Sequence, residues 1–271
     1  MHKCMHKGNA MRDNRTKQII QAGGLALGVS MTIADPFVAE VIGAAGFDFV
    51  LIDTEHAPIA VDQLQMLLIA LRTSASTVFV RPAANDAALI KQILDLGAEG
   101  VVVPEVNDAA SCAAAVAATR YPPLGRRGFG PRRAARLEGG RAAYIARADD
   151  EVAVLVMVES VDALANIDAL LQTPGLDGIM VGPADLAVSM GHRSDPNHPD
   201  VRARIVDVRD ACQRNSVPFG IFAATEQAAR LWAGEGARFM TIGADTQFLD
   251  QGLAKSRALA ESLLQPQQSV S

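Results

Sequence analysis

The feature that most constrains this chain is an eightfold alternation of short apolar runs with helix-length amphipathic segments. The runs lie at Gly24–Thr32, Phe47–Ile52, Thr77–Val80, Gly100–Val103, Val152–Val158, Gly178–Val181, Pro218–Phe222 and Arg238–Ile242. They are short, rich in β-branched residues and bounded by Gly, Pro or Asp, as expected of parallel strands buried on both faces. Helical segments follow at Asp35–Ala45, Val61–Arg72, Asp86–Leu96, Ala109–Thr119, Val161–Leu171, Val201–Asn215 and Glu226–Ala233, with a last one reaching about Leu264. Asp35 and Pro36 form a helix start, and Gly46 and Gly97 are stops. Strict alternation of this kind builds α/β folds with parallel sheets. Eight units in 271 residues point to a (β/α)8 TIM barrel rather than an open doubly wound sheet. Neither a G-x-G-x-x-G after the first strand nor a Walker A sequence is present. The resulting division is a flexible leader over 1–23, a catalytic barrel over 24–264 and a C-terminal tail over 265–271.

Composition narrows the function classes. Hydrophobic residues make up 49% but aromatics only 4%, so the core is built from Val, Leu, Ile and Ala. A net charge of -5 argues against a general nucleic-acid binder. Cys4, Cys112 and Cys212 have no paired spacing, which fits a reducing, cytoplasmic setting. No apolar run reaches the roughly 20 residues of a membrane span, and the polar N-terminus has no secretory h-region. His2, Cys4 and His6 alternate without a fourth ligand. The segment Arg120–Arg147 breaks the rhythm with many Gly, Pro and Arg residues. It reads either as a solvated surface loop or as a mobile βα loop whose arginines grip a substrate carboxylate.

The residues just past each strand carry the chemistry. Strand two delivers Asp53, Glu55 and His56, strand three Arg81, and strand four Pro104 and Glu105. Strand five delivers Glu159, strand six Gly182, Pro183, Ala184 and Asp185, and strand eight Asp245. A closed barrel gathers all of them around its C-terminal mouth. Glu159 and Asp185 converging there would repel each other unless a divalent cation neutralised them. Taken singly, Glu159 reads equally well as a helix cap and Asp185 as a turn residue. His56 is a candidate base with Asp53 to fix its tautomer, or a loop residue bonded to a carbonyl. Arg81 suits an anionic ligand, or pairs with a surface acid. The segment Gly182-Pro183-Ala184-Asp185 reads either as an ordinary turn or as a helix start whose Ala184 and Asp185 amides hold a carboxylate. Together the set is equipped to remove a proton beside a carbonyl and stabilise an enolate.

At this level of detail the motifs FDFVLIDTEHAPI, VRPAAND, LDLGAEGVVVPEVNDA, AATRYPPLGRRGFGP, VESVDALANIDAL, LDGIMVGPADLAVSMGH and IGADTQFL resemble the HpcH/HpaI family. These are class II pyruvate aldolases, similar to 4-hydroxy-2-oxoheptanedioate and 2-keto-3-deoxy sugar-acid aldolases. The resemblance runs in order from about Gly24 to Leu253. It implies a (β/α)8 barrel, usually a homo-oligomeric hexamer, with one divalent metal ion such as Mg2+, Mn2+ or Co2+. By the same resemblance Glu159 and Asp185 are metal ligands and His56 is the base, acting through a water. Asp53 orients it, Arg81 steadies the enolate oxygen, and Gly182, Pro183 and Ala184 surround the pyruvate carboxylate. Asp95 is an acid presented to the neighbouring subunit's histidine. One position departs from the pattern: Met157 stands where the family commonly has Gln, and a thioether is a poor hydrogen-bond partner. The implied reaction makes or cleaves the carbon–carbon bond of a 4-hydroxy-2-oxoacid, giving pyruvate and an aldehyde through a metal-stabilised enolate. An acyl-CoA lyase like the citrate lyase β chain and a non-catalytic oxoacid-binding barrel are the alternatives. The expected partners are small molecules, with no nucleic acid and no membrane.

Overall fold

A computed structural model describes residues 11–193 and 195–264. His2, Cys4, His6 and the tail 265–271 lie outside the described residues. Eight parallel strands close into a barrel in sequence order: β1 (Ala26–Met31), β2 (Phe49–Asp53), β3 (Thr77–Arg81), β4 (Gly100–Val103), β5 (Ala153–Val158), β6 (Gly178–Val181), β7 (Phe219–Phe222) and β8 (Phe239–Ala244). The helices between and around them are α1 (Arg15–Gln21), α2 (Pro36–Ala44), α3 (Val61–Ala70), α4 (Ala87–Asp95), α5 (Ala109–Thr119), α6 (Arg132–Leu137), α7 (Arg141–Glu151), α8 (Val161–Ala165), α9 (Ile167–Leu171), α10 (Pro183–Ser189), α11 (Pro199–Arg214), α12 (Glu226–Gly234) and α13 (Asp245–Leu264). Among the described residues no helix is long and apolar enough to cross a membrane.

Two apolar layers hold the barrel. The outer one packs Val, Ile and Leu of the strands against the surrounding helices. The inner one contains Phe49, Leu51, Phe79, Leu155, Met157, Met180 and Phe239. Few aromatics suffice because glycine on a neighbouring strand makes room for each ring. A Cβ at Gly28 would overlap Phe49, one at Gly100 would overlap Phe79, and one at Gly220 would overlap Phe239. Phe49 and Phe79 meet edge to face, with centroids 5.6 Å apart. This arrangement fills the interior, so the barrel is a packed core with its chemistry confined to one end.

The structure corrects the leader assignment in part. Residues 15–21 form α1, which closes the N-terminal end of the barrel, and Ile19 and Ile20 pack on the inner layer. Asn14 caps α1 and donates to Glu99 O at 2.9 Å and Glu151 O at 3.0 Å. Thr16 N donates to Thr77 Oγ1 at 3.1 Å.

The arginine-rich segment is also corrected. It contains α6 and α7 and lies in the connection from α5 to β5, at the N-terminal end of the barrel. Arg133 fixes that placement by donating to Leu96 O and, at 3.2 Å, to Leu68 O, both near the C-terminal ends of returning helices. No arginine there can close over the mouth of its own barrel. Arg127 is instead buried, with Tyr121 and Tyr144 rings 4.8 and 5.6 Å from its guanidinium carbon. It donates to Asp95 Oδ1 at 2.7 Å and Tyr144 Oη at 3.1 Å. Removing one partner of such a pair strands the other, at a cost of several kcal/mol. Arg127→Met is therefore expected to lower stability by roughly 3 kcal/mol in urea unfolding, and a change below about 0.5 kcal/mol would contradict this assignment.

Candidate active site

The mouth is organised by one strand register. Asp53 ends β2, Arg81 ends β3, and the two residues are paired across the ladder. Arg81 Nε donates to Asp53 Oδ1 at 2.9 Å and Nη2 donates to Asp53 Oδ2 at 2.5 Å, both groups buried. This fork is the bidentate geometry that arginine favours with carboxylates. Burial alone would raise the Asp53 pKa, but the hydrogen bonds and charge of Arg81 hold it below the usual carboxylate range. Arg81 Nη1 lies 3.1 Å from Glu55 Oε2 and 3.5 Å from Met157 Sδ. Met157 thus lies beneath the guanidinium as its soft, buried neighbour.

Asp53 does not touch the His56 imidazole. Its Oδ1 accepts the backbone N–H groups of Glu55 at 3.0 Å and His56 at 3.3 Å, which tightens the turn after β2. The imidazole Nε2 is 3.5 Å from Glu55 Oε2, and its side chain is 60% exposed. The expected Asp–His pair is therefore replaced by an Asp–Arg fork, with Glu55 beside the histidine. The i, i+3 spacing of Asp53 and His56 suggested a contact that the strand pairing with Arg81 pre-empts.

Glu159 follows β5, and its Oε1 accepts the N–H of Glu105 at 3.0 Å. Glu105 adopts a left-handed backbone, φ 56°, to present that N–H; its contribution to the mouth is the amide. Burial first, then the charges of Asp185 and Glu55, push Glu159 up to about 7, against the Glu105 N–H and Arg81. Burial also raises Glu55, helped by Asp53 and Asp185 and opposed by Arg81 and His56. Glu55 Oε2 is buried and accepts no well-directed hydrogen bond. The mouth therefore holds more carboxylate than Arg81 neutralises, and hard oxygen donors in excess fit a divalent cation. Glu159 and Asp185 offer two ligands, leaving coordination positions for water and substrate, as Mg2+ sites commonly do.

His56, Arg81, Met157, Gly182, Pro183, Ala184, Asp185 and Phe222 line a cavity of about 310 Å³. Gly182 is required by close approach: a Cβ there would fall 2.9 Å from Met157 Cε and 3.1 Å from Glu159 Oε2. Pro183 starts α10, with Gly182 as its N-cap. Asp245 serves the frame, taking Thr32 N at 2.8 Å and Ile33 N at 2.7 Å to lock β8 to the end of β1. Asp95 ends α4 at the opposite end of the barrel, so within one chain it is remote from His56. His192, His198 and Asp200 form a ligand-like group that the sequence reading did not single out. The two rings stack at 3.7 Å, and His198 Nδ1 accepts Asp200 N at 3.2 Å, capping α11.

A closed parallel barrel with Asp53, Arg81, Glu159 and Asp185 gathered at its C-terminal mouth defines a (β/α)8-barrel enzyme. The HpcH/HpaI aldolase/citrate lyase model matches residues 27–251, and the chain belongs to that family. It is 41% identical over 242 residues to a hydroxypyruvate/pyruvate aldolase of Pseudomonas aeruginosa, covering 89% of this chain and 90% of that protein. It is 40% identical over 241 residues to a 4-hydroxy-2-oxo-heptane-1,7-dioate aldolase of Klebsiella pneumoniae, covering 89% and 91%. A solved HpcH/HpaI aldolase/citrate lyase family protein from Burkholderia cenocepacia J2315 superposes with a TM-score of 0.86 at 35% identity, covering 92% of this chain and 99% of that one.

Proposed function

We propose that this protein is a class II pyruvate aldolase, a carbon–carbon lyase that interconverts a 4-hydroxy-2-oxoacid with pyruvate and an aldehyde. The observation that carries the reading is the buried Arg81 guanidinium, fixed by Asp53 and facing a cavity lined also by His56 and Asp185, with Glu159 close behind its Gly182 wall. The aldolase names of the relatives support it over the acyl-CoA lyase alternative.

Glu159 and Asp185 would hold one divalent cation, with Mg2+, Mn2+ or Co2+ suited to an oxygen-rich set. Bound there, the cation supplies Lewis-acid stabilisation of the charge that develops on a 2-oxoacid. Arg81 holds the same developing oxyanion by hydrogen bonds; because Asp53 already orients it, little reorganisation is needed. The N–H groups of Ala184 and Asp185, with Gly182 and Pro183, receive the substrate carboxylate. His56, exposed on the rim and placed by the turn that Asp53 tightens, removes the methyl proton by way of a water. In the cleavage direction it accepts the 4-hydroxyl proton. Met157 packs against Arg81, its Sδ 3.5 Å from Nη1, and helps hold the guanidinium in place beside the cavity. The defining measurement is exchange of pyruvate methyl protons into heavy water with divalent metal present. An aldolase exchanges them and also releases pyruvate from 4-hydroxy-2-oxoacids; failure in both assays would overturn the reading.

The working form is proposed to be a cytoplasmic homo-oligomer, a hexamer, in which Asp95 serves the histidine of a neighbouring subunit. Support comes from α13, of whose 20 residues only Asp245 is buried. Leu253 and Leu263 are 60% and 75% exposed, as is Phe37 of α2 at 72%. An isolated subunit leaves this apolar surface in water, and each leucine buried by assembly contributes on the order of 2 kcal/mol. Leu249→Lys with Leu253→Lys is expected to shift the wild-type oligomer to smaller species in analytical ultracentrifugation. An unchanged mass, or a monomeric wild type, would count against the assignment.

A further inference from the structure

A second cavity, of about 360 Å³, adjoins the first and shares Pro183, Ala184 and Phe222 with it. It runs between the first turns of α11 and α12, and its apolar side includes Ile205, Leu231 and Trp232. Arg202 is the one charged residue that lines it, among neutral Asn197, Thr225 and Gln227. The other arginines of α11 are committed. Arg204 pairs with Asp207 at 2.8 Å, Arg209 with Asp210 at 2.7 Å and with Glu235, and Arg214 with Asp168 at 3.5 Å. Among the described residues Arg202 has no carboxylate partner. His198 caps α11 and accepts Arg202 N on its carbonyl, which sets Arg202 in the first helical turn. A free guanidinium at the polar edge of an otherwise apolar cleft, beside a mouth crowded with acids, is suited to an anion held away from those acids.

We propose that this cleft takes the distal end of the aldehyde and that Arg202 binds a terminal carboxylate there, making Arg202 a specificity-determining residue for acidic acceptors. This rests on the aldolase reading. It assigns the selectivity for charge to α11 rather than to the arginine-rich segment at the other end of the barrel. A neutral aldehyde of the same length uses the apolar lining and gains nothing from the guanidinium.

The test compares two probes of equal chain length, 4-hydroxy-2-oxoheptanedioate and 4-hydroxy-2-oxoheptanoate, followed by pyruvate release. The wild type is expected to prefer the diacid. Arg202→Ala should cut kcat/KM for the diacid roughly 10–100-fold, as for a lost charge-assisted hydrogen bond. The neutral probe should change less than about threefold, so that the preference collapses. Arg202→Lys keeps the charge and should restore part of the preference. Equal losses on both probes, or a wild type with no preference for the diacid, would overturn the proposal while leaving the aldolase reading intact. A wild type that releases pyruvate from neither probe and exchanges no pyruvate protons would instead remove the reading on which it rests.

Discussion

Replacing His56 by alanine is expected to lower pyruvate proton exchange and carbon–carbon cleavage together, by roughly 10²–10⁴-fold, the usual contribution of a general base. The two rates should fall together because the same imidazole takes the methyl proton in one direction and the hydroxyl proton in the other. The fold should be indifferent. His56 contributes its backbone N–H to Asp53, which alanine preserves, while its side chain is 60% exposed, with Nε2 3.5 Å from Glu55. An unchanged thermal midpoint with a collapsed rate thus separates chemistry from architecture. Divalent metal affinity should also remain, since the carboxylates proposed to hold the cation are Glu159, just past β5, and Asp185 in α10. If the variant instead lost metal but kept its residual rate at saturating metal, His56 would be a ligand and the base would lie elsewhere.

The sequence made the barrel legible because its strands are short apolar runs that need no long-range information to recognise. Val152–Val158 reads as a strand and Ala153–Val158 forms one. Residues 161–171 read as one helix, but the chain breaks it at Asn166 into α8 and α9. Helix α1 escaped notice because RTKQIIQ offers only two apolar residues, although Asn14 stood before it as a cap. In α6 and α7 the surrounding Gly and Pro outweighed the helix-favouring Ala and Arg of RRAARL and RAAYIARADDE. The rim residues were legible one by one, since each follows a strand. Their pairing was not. Asp53 meets Arg81 through register between β2 and β3, a tertiary fact invisible to i, i+3 spacing. Glu105 looked like an acid for the mouth, yet what reaches Glu159 is its amide, through a left-handed backbone that no residue type announced.

Glu159→Gln should separate the cation from the scaffold. The substitution keeps an oxygen to accept the Glu105 N–H, 3.0 Å away in the wild type, and removes only the charge. Metal-dependent cleavage should fall at least about 100-fold, consistent with losing a ligand to the catalytic ion. Metal-free stability should move the other way. Burial and the neighbouring acids raise the Glu159 pKa from 4.5 to about 7. A group raised in the folded state contributes stability below its unfolded pKa, and that contribution is lost as pH rises through the folded value. Ionised Glu159 therefore costs the metal-free protein on the order of 2 kcal/mol above pH 7, and glutamine does not incur it. With chelator present, the variant should melt above the wild type at pH 8, and the gap should narrow towards pH 5. Saturating metal should reverse the order. An ion at about 100 times its Kd adds about 2.7 kcal/mol to the wild type, whereas a variant that has lost a ligand gains much less. Glu159 would not be a ligand if the variant kept full activity with unchanged metal affinity, or if the melting order failed to reverse.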